Sequence, residues 1–318
     1  MEPQFRVKPI LSHSSTMALK SVSNRLVYNM HTGYLFVCND IRSNVLLALF
    51  FGALGASVAP SLSMGESRSL SHIVASAPRA LLWSWANLFL FNLHNQRHSA
   101  AIAEDAINKP WRPLPAKRLT QEQATLVIYA MYPTMLAISL TFGGLVPSVL
   151  EAFLCLWHNE LGGDSDPFLK NTLTAFGLAC FLAGPLEVIT GRSIFSGNSE
   201  AAIWLFMIAI AIATTVHAQD FRDMEGDKAT GRSTVPLAMG DTESRALLAI
   251  GVVGWTYAAG LFWGVSWRET ITGWMFGMVM VGNALLDRSM DGDKRTWKLW
   301  TFWMLGLFLV PFLKEVKI

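Results

Sequence analysis

"AAIWLFMIAIAIATTV" (residues 201–216) runs without a break into "HAQDFRDMEGDKATGRSTVP" (residues 217–236). The first sixteen residues carry no charge, and the next sixteen, His217 to Arg232, carry four acids and three bases. An apolar run with so abrupt a charged exit reads as a membrane-spanning helix that ends in a polar cap. The rest of the chain agrees. It has 318 residues, 52% hydrophobic and only 15% charged, where a soluble domain carries about a quarter charged residues. Apolar stretches recur at 44–62, 74–94, 124–144, 145–158, 171–190, 201–217, 246–265, 271–287 and 298–313. The expected fold class is therefore all-α: a polytopic membrane protein of about nine transmembrane helices.

Basic residues orient the chain. Most of its 25 Lys and Arg fall in the N-terminal arm, in 97–118, at Lys170, in 222–245 and in 288–298. Placing these stretches in the cytosol satisfies the positive-inside rule. The N-terminus and the loops after the second and sixth helices then share one side. The first 42 residues lack a short apolar core followed by a small-residue cleavage site. They read as a cytosolic arm (1–42) ahead of a transmembrane domain (43–318). The three cysteines, Cys38, Cys155 and Cys180, show neither metal spacing nor a disulfide framework. A lipid bilayer is the expected partner, and no nucleic acid.

The charged exit carries the chemistry. Asp220, Asp223 and Asp227 stand at i, i+3 and i+7, which places them on one face of a helix. Carboxylates so crowded repel one another unless a cation lies between them. Magnesium suits such a site, because it takes oxygen ligands and shares its remaining positions with water and phosphate. Arg222, Lys228 and Arg232 surround the acids and supply donors for phosphate oxygens. The plainer reading is a solvated, charge-paired continuation of the sixth helix. Three acids in one register, with a second polar loop on the same side, weigh against it.

That second loop is "NLHNQRHSAAIAEDAINKPWRPLPAKR", 92–118. Asn92, Asn95 and Gln96 lie close on one helical face. Glu104 and Asp105 follow about two turns on, before Pro110, Pro113 and Pro115 break the helix. Lys109, Arg112, Lys117 and Arg118 make the loop basic. It reads either as a second metal and diphosphate site facing the first, with Asn95, Glu104 and Asp105 as metal ligands and Lys109 and Arg112 on phosphate, or as an ordinary positive-inside loop. Arg42 and Asp40, where the first helix begins, are candidates for the diphosphate site.

These two loops carry a resemblance. "DFRDMEGD" reproduces the Asp-x-x-Asp-x-x-x-Asp motif of the UbiA superfamily of intramembrane prenyltransferases, and "GRSTVP" follows as that family has it. "EDAINKPWRPLP" resembles the tail of its first motif. The likeness covers about residues 35–313. It implies an all-helical bundle around a central cavity closed by polar caps on the cytosolic side, with Mg2+ and an isoprenyl diphosphate held by two Asp-rich motifs. The first motif departs from the usual Asn-Asp-x-x-Asp-x-x-x-Asp. If Asn95 is its asparagine, the acid positions hold Gln96, Ser99 and Ala103, and only Glu104 and the displaced Asp105 remain. "YLFVCNDIRSNVL" (34–46) together with the two motifs looks most like the fungal branch, which includes integral-membrane terpene cyclases. The resemblance thus implies a cyclase acting on farnesyl diphosphate at the endoplasmic reticulum, with Asp105, Asp220, Asp223 and Asp227 as catalytic residues. A prenyltransferase with an aromatic or other lipophilic acceptor is the alternative. A transporter is the rival outside enzymes, and acids clustered at one membrane face argue against it.

Several polar residues inside the apolar segments invite a role. Glu187 reads as structural or as a partner of Arg192. Asn283 with Asp287 reads as an auxiliary cavity pair. His98 and His158 read as ordinary loop residues. The twelve tryptophans divide between cavity walls, where ring faces stabilise cations, and the membrane interfaces.

Overall fold

The computed structural model describes residues 13–196, 200–229 and 231–316, with side chains omitted for 13–22 and 108. Every regular element among the described residues is helical. In chain order these are α1 (His13–Val37), α2 (Leu47–Ser57), α3 (Leu70–Arg97), α4 (Ser99–Asn108), α5 (Gln121–Phe142), α6 (Leu145–Asn159), α7 (Pro167–Thr190), α8 (Glu200–Thr215), α9 (Met224–Ala229), α10 (Val235–Met239), α11 (Asp241–Trp263), α12 (Ile271–Leu286) and α13 (Met290–Val316). Capping residues in the sequence set several starts. Asp166 accepts from the backbone N–H groups of Phe168 and Leu169 ahead of α7, with Pro167 at its first position. Thr120 and Gln123 form a reciprocal capping box on α5. Gly143 and Gly144, with φ of 100° and 77°, end α5 and start α6 in a conformation that favours glycine.

The nine expected spans all fall on helices of unequal length. Five described helices are long and apolar enough by themselves to cross a bilayer, and six if the bent pair Ser23–Val37 with Ile41–Ser57 counts as one. The other segments fall short of that measure for definable reasons. α6 has 15 residues and α12 has 16, so each rises only about 22–24 Å against a hydrocarbon core of about 30 Å. α3 is long enough, but its last turns carry Asn92, His94, Asn95, Gln96 and Arg97.

Small residues let the helices approach. α12 packs on α13 through Gly273 and Gly306, where a Cβ on Gly306 would meet the Gly273 backbone at 2.7 Å. Trp83 of α3 is fully buried over Gly184 of α7, and its indole donates to the Gly144 carbonyl. Three other indoles tie helices together by donating to threonine hydroxyls: Trp255 to Thr214, Trp300 to Thr215 and Trp303 to Thr256, at 2.8–3.0 Å. These tryptophans act as ties between helices. Trp204, Phe262 and Trp263 form an aromatic cluster, with ring centroids 5.1–5.6 Å apart.

Two expectations change here, for Asn283 with Asp287 and for His158. Glu187 is structural, but its partners are the Ser193 hydroxyl and the Ile194 N–H rather than Arg192. Asn283 donates to the Gly292 carbonyl and the Thr296 hydroxyl, so its amide pins α12 to α13. Asp287 pairs with Arg295. His158 is a buried residue of α6 packed against Phe91, not a loop residue. His98 is, as expected, a loop residue, in the bend between α3 and α4, and sits 3.4 Å from Glu160.

Replacing Gly306 with alanine is expected to cost about 1–3 kcal/mol, as overpacking does, and to lower the unfolding temperature in detergent. Gly282→Ala, with nothing within 4 Å of its added Cβ, serves as the control and should leave that temperature near the wild-type value.

Candidate active site

The α8 helix does not continue as a regular helix into the charged stretch. It tightens into two 3-10 turns, Val216–Gln219 and Phe221–Asp223, before the short α9. Asp220 lies between the two turns, Asp223 ends the second and Asp227 sits in α9. The expected single helical face is therefore not formed. Asp220 and Asp227 are buried, while Asp223 is exposed. Among the described residues no group of three His, Cys, Asp or Glu side chains stands close enough to hold a metal ion. The physical reason is visible in the partners: each carboxylate is drawn to a base instead of to its neighbours.

The strongest of these pairs joins elements far apart in sequence. Lys170, in the first turn of α7, donates to Asp220 Oδ1 at 3.0 Å, and both side chains are buried. Asp220 Oδ2 is buried without a hydrogen-bond partner. Arg232 reaches Glu104 at 3.4 Å and Asp227 at 3.7 Å. It thereby bridges the two polar loops. Arg112 donates to both oxygens of Asp105, at 2.9 and 2.8 Å, and both residues are buried. Arg222 lies 3.3 Å from Asp223.

Asp40 completes the ring. It sits between α1 and the wide π-helical turn Ile41–Leu46 that leads into α2. Burial raises its pKa, although Arg112, Lys109 and Arg222 all pull it down from nearby, as does Asn92. Lys109 faces Asp105, Asp223 and Asp40, yet burial and the charge of Arg112 hold its pKa below the usual lysine value. Residues from 40, 92–112, 170 and 220–232 thus converge at one end of the bundle. The ion pairs of Arg245 with Asp241 and Asp293 extend the same surface, and the Arg245 guanidinium lies 4.2 Å from the centre of the Phe221 ring.

Some expected site residues stay outside this ring. Arg42 and Lys228 are exposed and take part in none of its ion pairs among the described residues. Asn95 turns its amide to Asn159 Oδ1 of α6 at 3.1 Å. The sequence reading missed Lys170 as a site residue. Its signal was a lone lysine at the start of an apolar segment on the side of the acidic loops. It also missed Glu160, which accepts from His94 and Arg97 at 2.6 Å each and braces the end of α3 against α6.

A bundle of apolar helices with one charged end, built by two loops that share an acid–base ring, is matched by one family. The model of the UbiA prenyltransferase family covers residues 45–309. The chain belongs to the UbiA prenyltransferase family. It is 28% identical over 288 residues to a fumagillin β-trans-bergamotene synthase of Aspergillus fumigatus, covering 91% of this chain and 94% of that one. It is 25% identical to a somaliensene A/B synthase of Streptomyces somaliensis, again over 91% and 94%. A polyprenyl transferase of Hericium erinaceus is 31% identical over 61% of this chain and 66% of its own. Among solved structures, a UbiA homologue of Archaeoglobus fulgidus bound to GPP and Mg2+ has the same fold, with a TM-score of 0.57 at 13% identity, over 90% of this chain and all of that one.

Both loops lie at one end, so they must face the same side of the membrane. Cysteines introduced singly at the exposed Lys117 and Lys228, in a background without the native three, should be modified by an impermeant thiol reagent from one side of sealed vesicles only. Modification of the two from opposite sides would contradict the shared site.

Proposed function

We propose that this UbiA family member is a magnesium-dependent terpene cyclase that ionises farnesyl diphosphate and closes the resulting allylic cation on its own double bonds. The observation that carries this reading is the acid–base ring in which Arg232 joins Glu104 of the first loop to Asp227 of the second. The bases in it, Lys109, Arg112, Lys170, Arg222 and Arg232, outnumber what a neutral substrate needs and suit a diphosphate. The carboxylates Asp105, Asp220, Asp223 and Asp227, with Glu104, offer oxygen donors of the kind magnesium takes. The buried, unpartnered Asp220 Oδ2 fits an arriving cation. Bound there, magnesium would neutralise diphosphate charge and make it a better leaving group.

The residues of the chain do the rest. Lys109 and Arg112, half-buried and buried, bind phosphate oxygens where water competes poorly. As the C–O bond breaks, its electron pair leaves with the diphosphate, and the basic ring holds that charge. The apolar helices keep water from the cation. A chain double bond then attacks the cationic carbon, and loss of a proton restores neutrality.

The choice of cyclase over transferase rests on two supports. Two relatives that match the chain nearly end to end are named for the product they make, not for a group they transfer. The first motif also lacks the regular acid spacing, with Gln96, Ser99 and Ala103 at the acid positions. The likeness to a polyprenyl transferase keeps transfer to a lipophilic acceptor as the second reading. In the cell we place the chain in the endoplasmic reticulum membrane, as nine spanning segments, α6 and α12 among them, with the N-terminus and both loops cytosolic.

Purified protein given farnesyl diphosphate and Mg2+ alone should release diphosphate and form a cyclic hydrocarbon, detected by gas chromatography–mass spectrometry. Formation of a prenylated phenol when an acceptor is supplied, with no hydrocarbon from any common prenyl diphosphate, would establish the transferase reading instead. The lowered pKa of Lys109 gives a second test. Its charge is lost at a lower pH than for an ordinary lysine, so kcat/KM should fall on the alkaline side as that ammonium deprotonates. Lys109→Arg keeps its charge and should move the fall to higher pH. An unchanged profile would remove Lys109 from substrate binding.

A further inference from the structure

The described part of the N-terminal arm is held against the protein along one face. Over residues 23–37 it is helical, and α1 meets the helix of Ile41–Ser57 at a bend of 70°. Its two faces are unlike. Tyr28 and Thr32, one turn apart, turn toward the protein. Arg118 donates to the Tyr28 carbonyl at 3.2 Å and to the Thr32 hydroxyl at 2.9 Å. Its guanidinium lies 4.1 Å from the centre of the Tyr28 ring, and the Tyr28 hydroxyl donates back to the Arg118 carbonyl. These contacts fix the rotation of α1 about its axis. At the C-terminal end Gln96 of α3 donates to the Phe36 carbonyl, and Phe36 packs edge-on against Phe89.

The opposite stripe is apolar and uncovered. Leu26, Met30 and Tyr34 stand at i, i+4 and i+8, with Val27 beside them. They are 59%, 67%, 55% and 63% exposed respectively. Such exposure at a polar end of the molecule is costly in water. Three observations say what covers the stripe. The 70° bend from a helix that enters the membrane lays α1 close to the bilayer plane. The stripe continues in the chain toward Leu46 and Phe50, exposed at the start of the first span, where lipid is the neighbour. Arg25 and Arg42, one at each end of the stripe, are exposed and make no ion pair among the described residues, which suits lipid phosphates at the interface.

We propose that α1 is an interfacial helix. Leu26, Val27, Met30 and Tyr34 lie among the acyl chains of the leaflet on the side of the acid–base ring, and Arg25 and Arg42 engage its headgroups. The polar stripe of the same helix holds the 109–120 loop through Arg118. Membrane contact is thereby joined mechanically to the loop that carries Lys109 and Arg112. Arg42, which the sequence places near the diphosphate, is on this account a membrane anchor.

The test needs no turnover, so its failure is distinct from failure of the cyclase reading. Single cysteines at Leu26, Met30 and Tyr34, and at the exposed Asn24 and Asn29 outside the stripe, are labelled with an environment-sensitive fluorophore in a background lacking the native cysteines. The protein is reconstituted into phosphatidylcholine–phosphatidylserine vesicles at high lipid-to-protein ratio. Labels at 26, 30 and 34 should be quenched several-fold more by lipids carrying a doxyl group on the acyl chain than labels at 24 and 29, which iodide should quench instead. Iodide quenching of all five alike would show a solvated arm and overturn the proposal. So would shielding of 26, 30 and 34 that appears only at high protein density, which would assign the stripe to a second copy. The unmodified protein gives an independent reading. A photoactivatable acyl-chain lipid should leave adducts on the peptide spanning 26–34, and their absence would contradict the membrane contact.

Discussion

A buried lysine and a buried aspartate hold the charged end together. Lys170 and Asp220 are fifty residues apart in sequence and 3.0 Å apart in space. Neither could be buried alone, because an uncompensated charge in an apolar surround costs several kcal/mol. Their pairing fixes the start of α7 to the turn after α8. It satisfies one oxygen of Asp220 and leaves the other buried without a partner. The rest of the polar end is arranged around this anchor. Arg232 spans from Asp227 to Glu104, Arg112 grips Asp105, and Asp40 closes the ring from the base of the first span.

The same constraint explains why the acidic stretch is irregular. A continuous helix would carry Asp220, Asp223 and Asp227 along one face, where three carboxylates repel. The two 3-10 turns before α9 let Asp220 reach Lys170 and Asp227 reach Arg232, while Asp223 points outward. The acids are thus held by bases that a diphosphate and its counter-ion are suited to share. On the proposed reading the ring is poised for an anion that arrives with a cation, and the apolar bundle shields the allylic carbocation from water.

Much of this architecture was legible in the chain. The apolar runs locate the helices, Gly143 and Gly144 mark the break between α5 and α6, and "DFRDMEGD" marks the charged exit of α8. The features that were not legible depend on distance in sequence. Lys170 has no local feature that points to Asp220, and Glu160 none that points to His94 and Arg97. Asn283 looked functional because it is a polar residue in an apolar segment, but its partners are the Gly292 carbonyl and the Thr296 hydroxyl of α13. The arm before the first span reads as polar by composition. Its apolar stripe appears only when Arg118 fixes which way α1 faces. Helix length was not legible either, because hydropathy records apolar content alone: α6 and α12 are apolar but short.

The central claim is that two loops, distant in sequence, make one diphosphate site. Titration calorimetry of a non-ionising thio-analogue of farnesyl diphosphate, with and without Mg2+, tests it most directly on the wild type, Asp105→Asn and Asp223→Asn. Binding that requires Mg2+ in the wild type and weakens at least tenfold in each variant is the predicted result. Full-strength, Mg2+-dependent binding in either variant would mean that its loop is not part of the site.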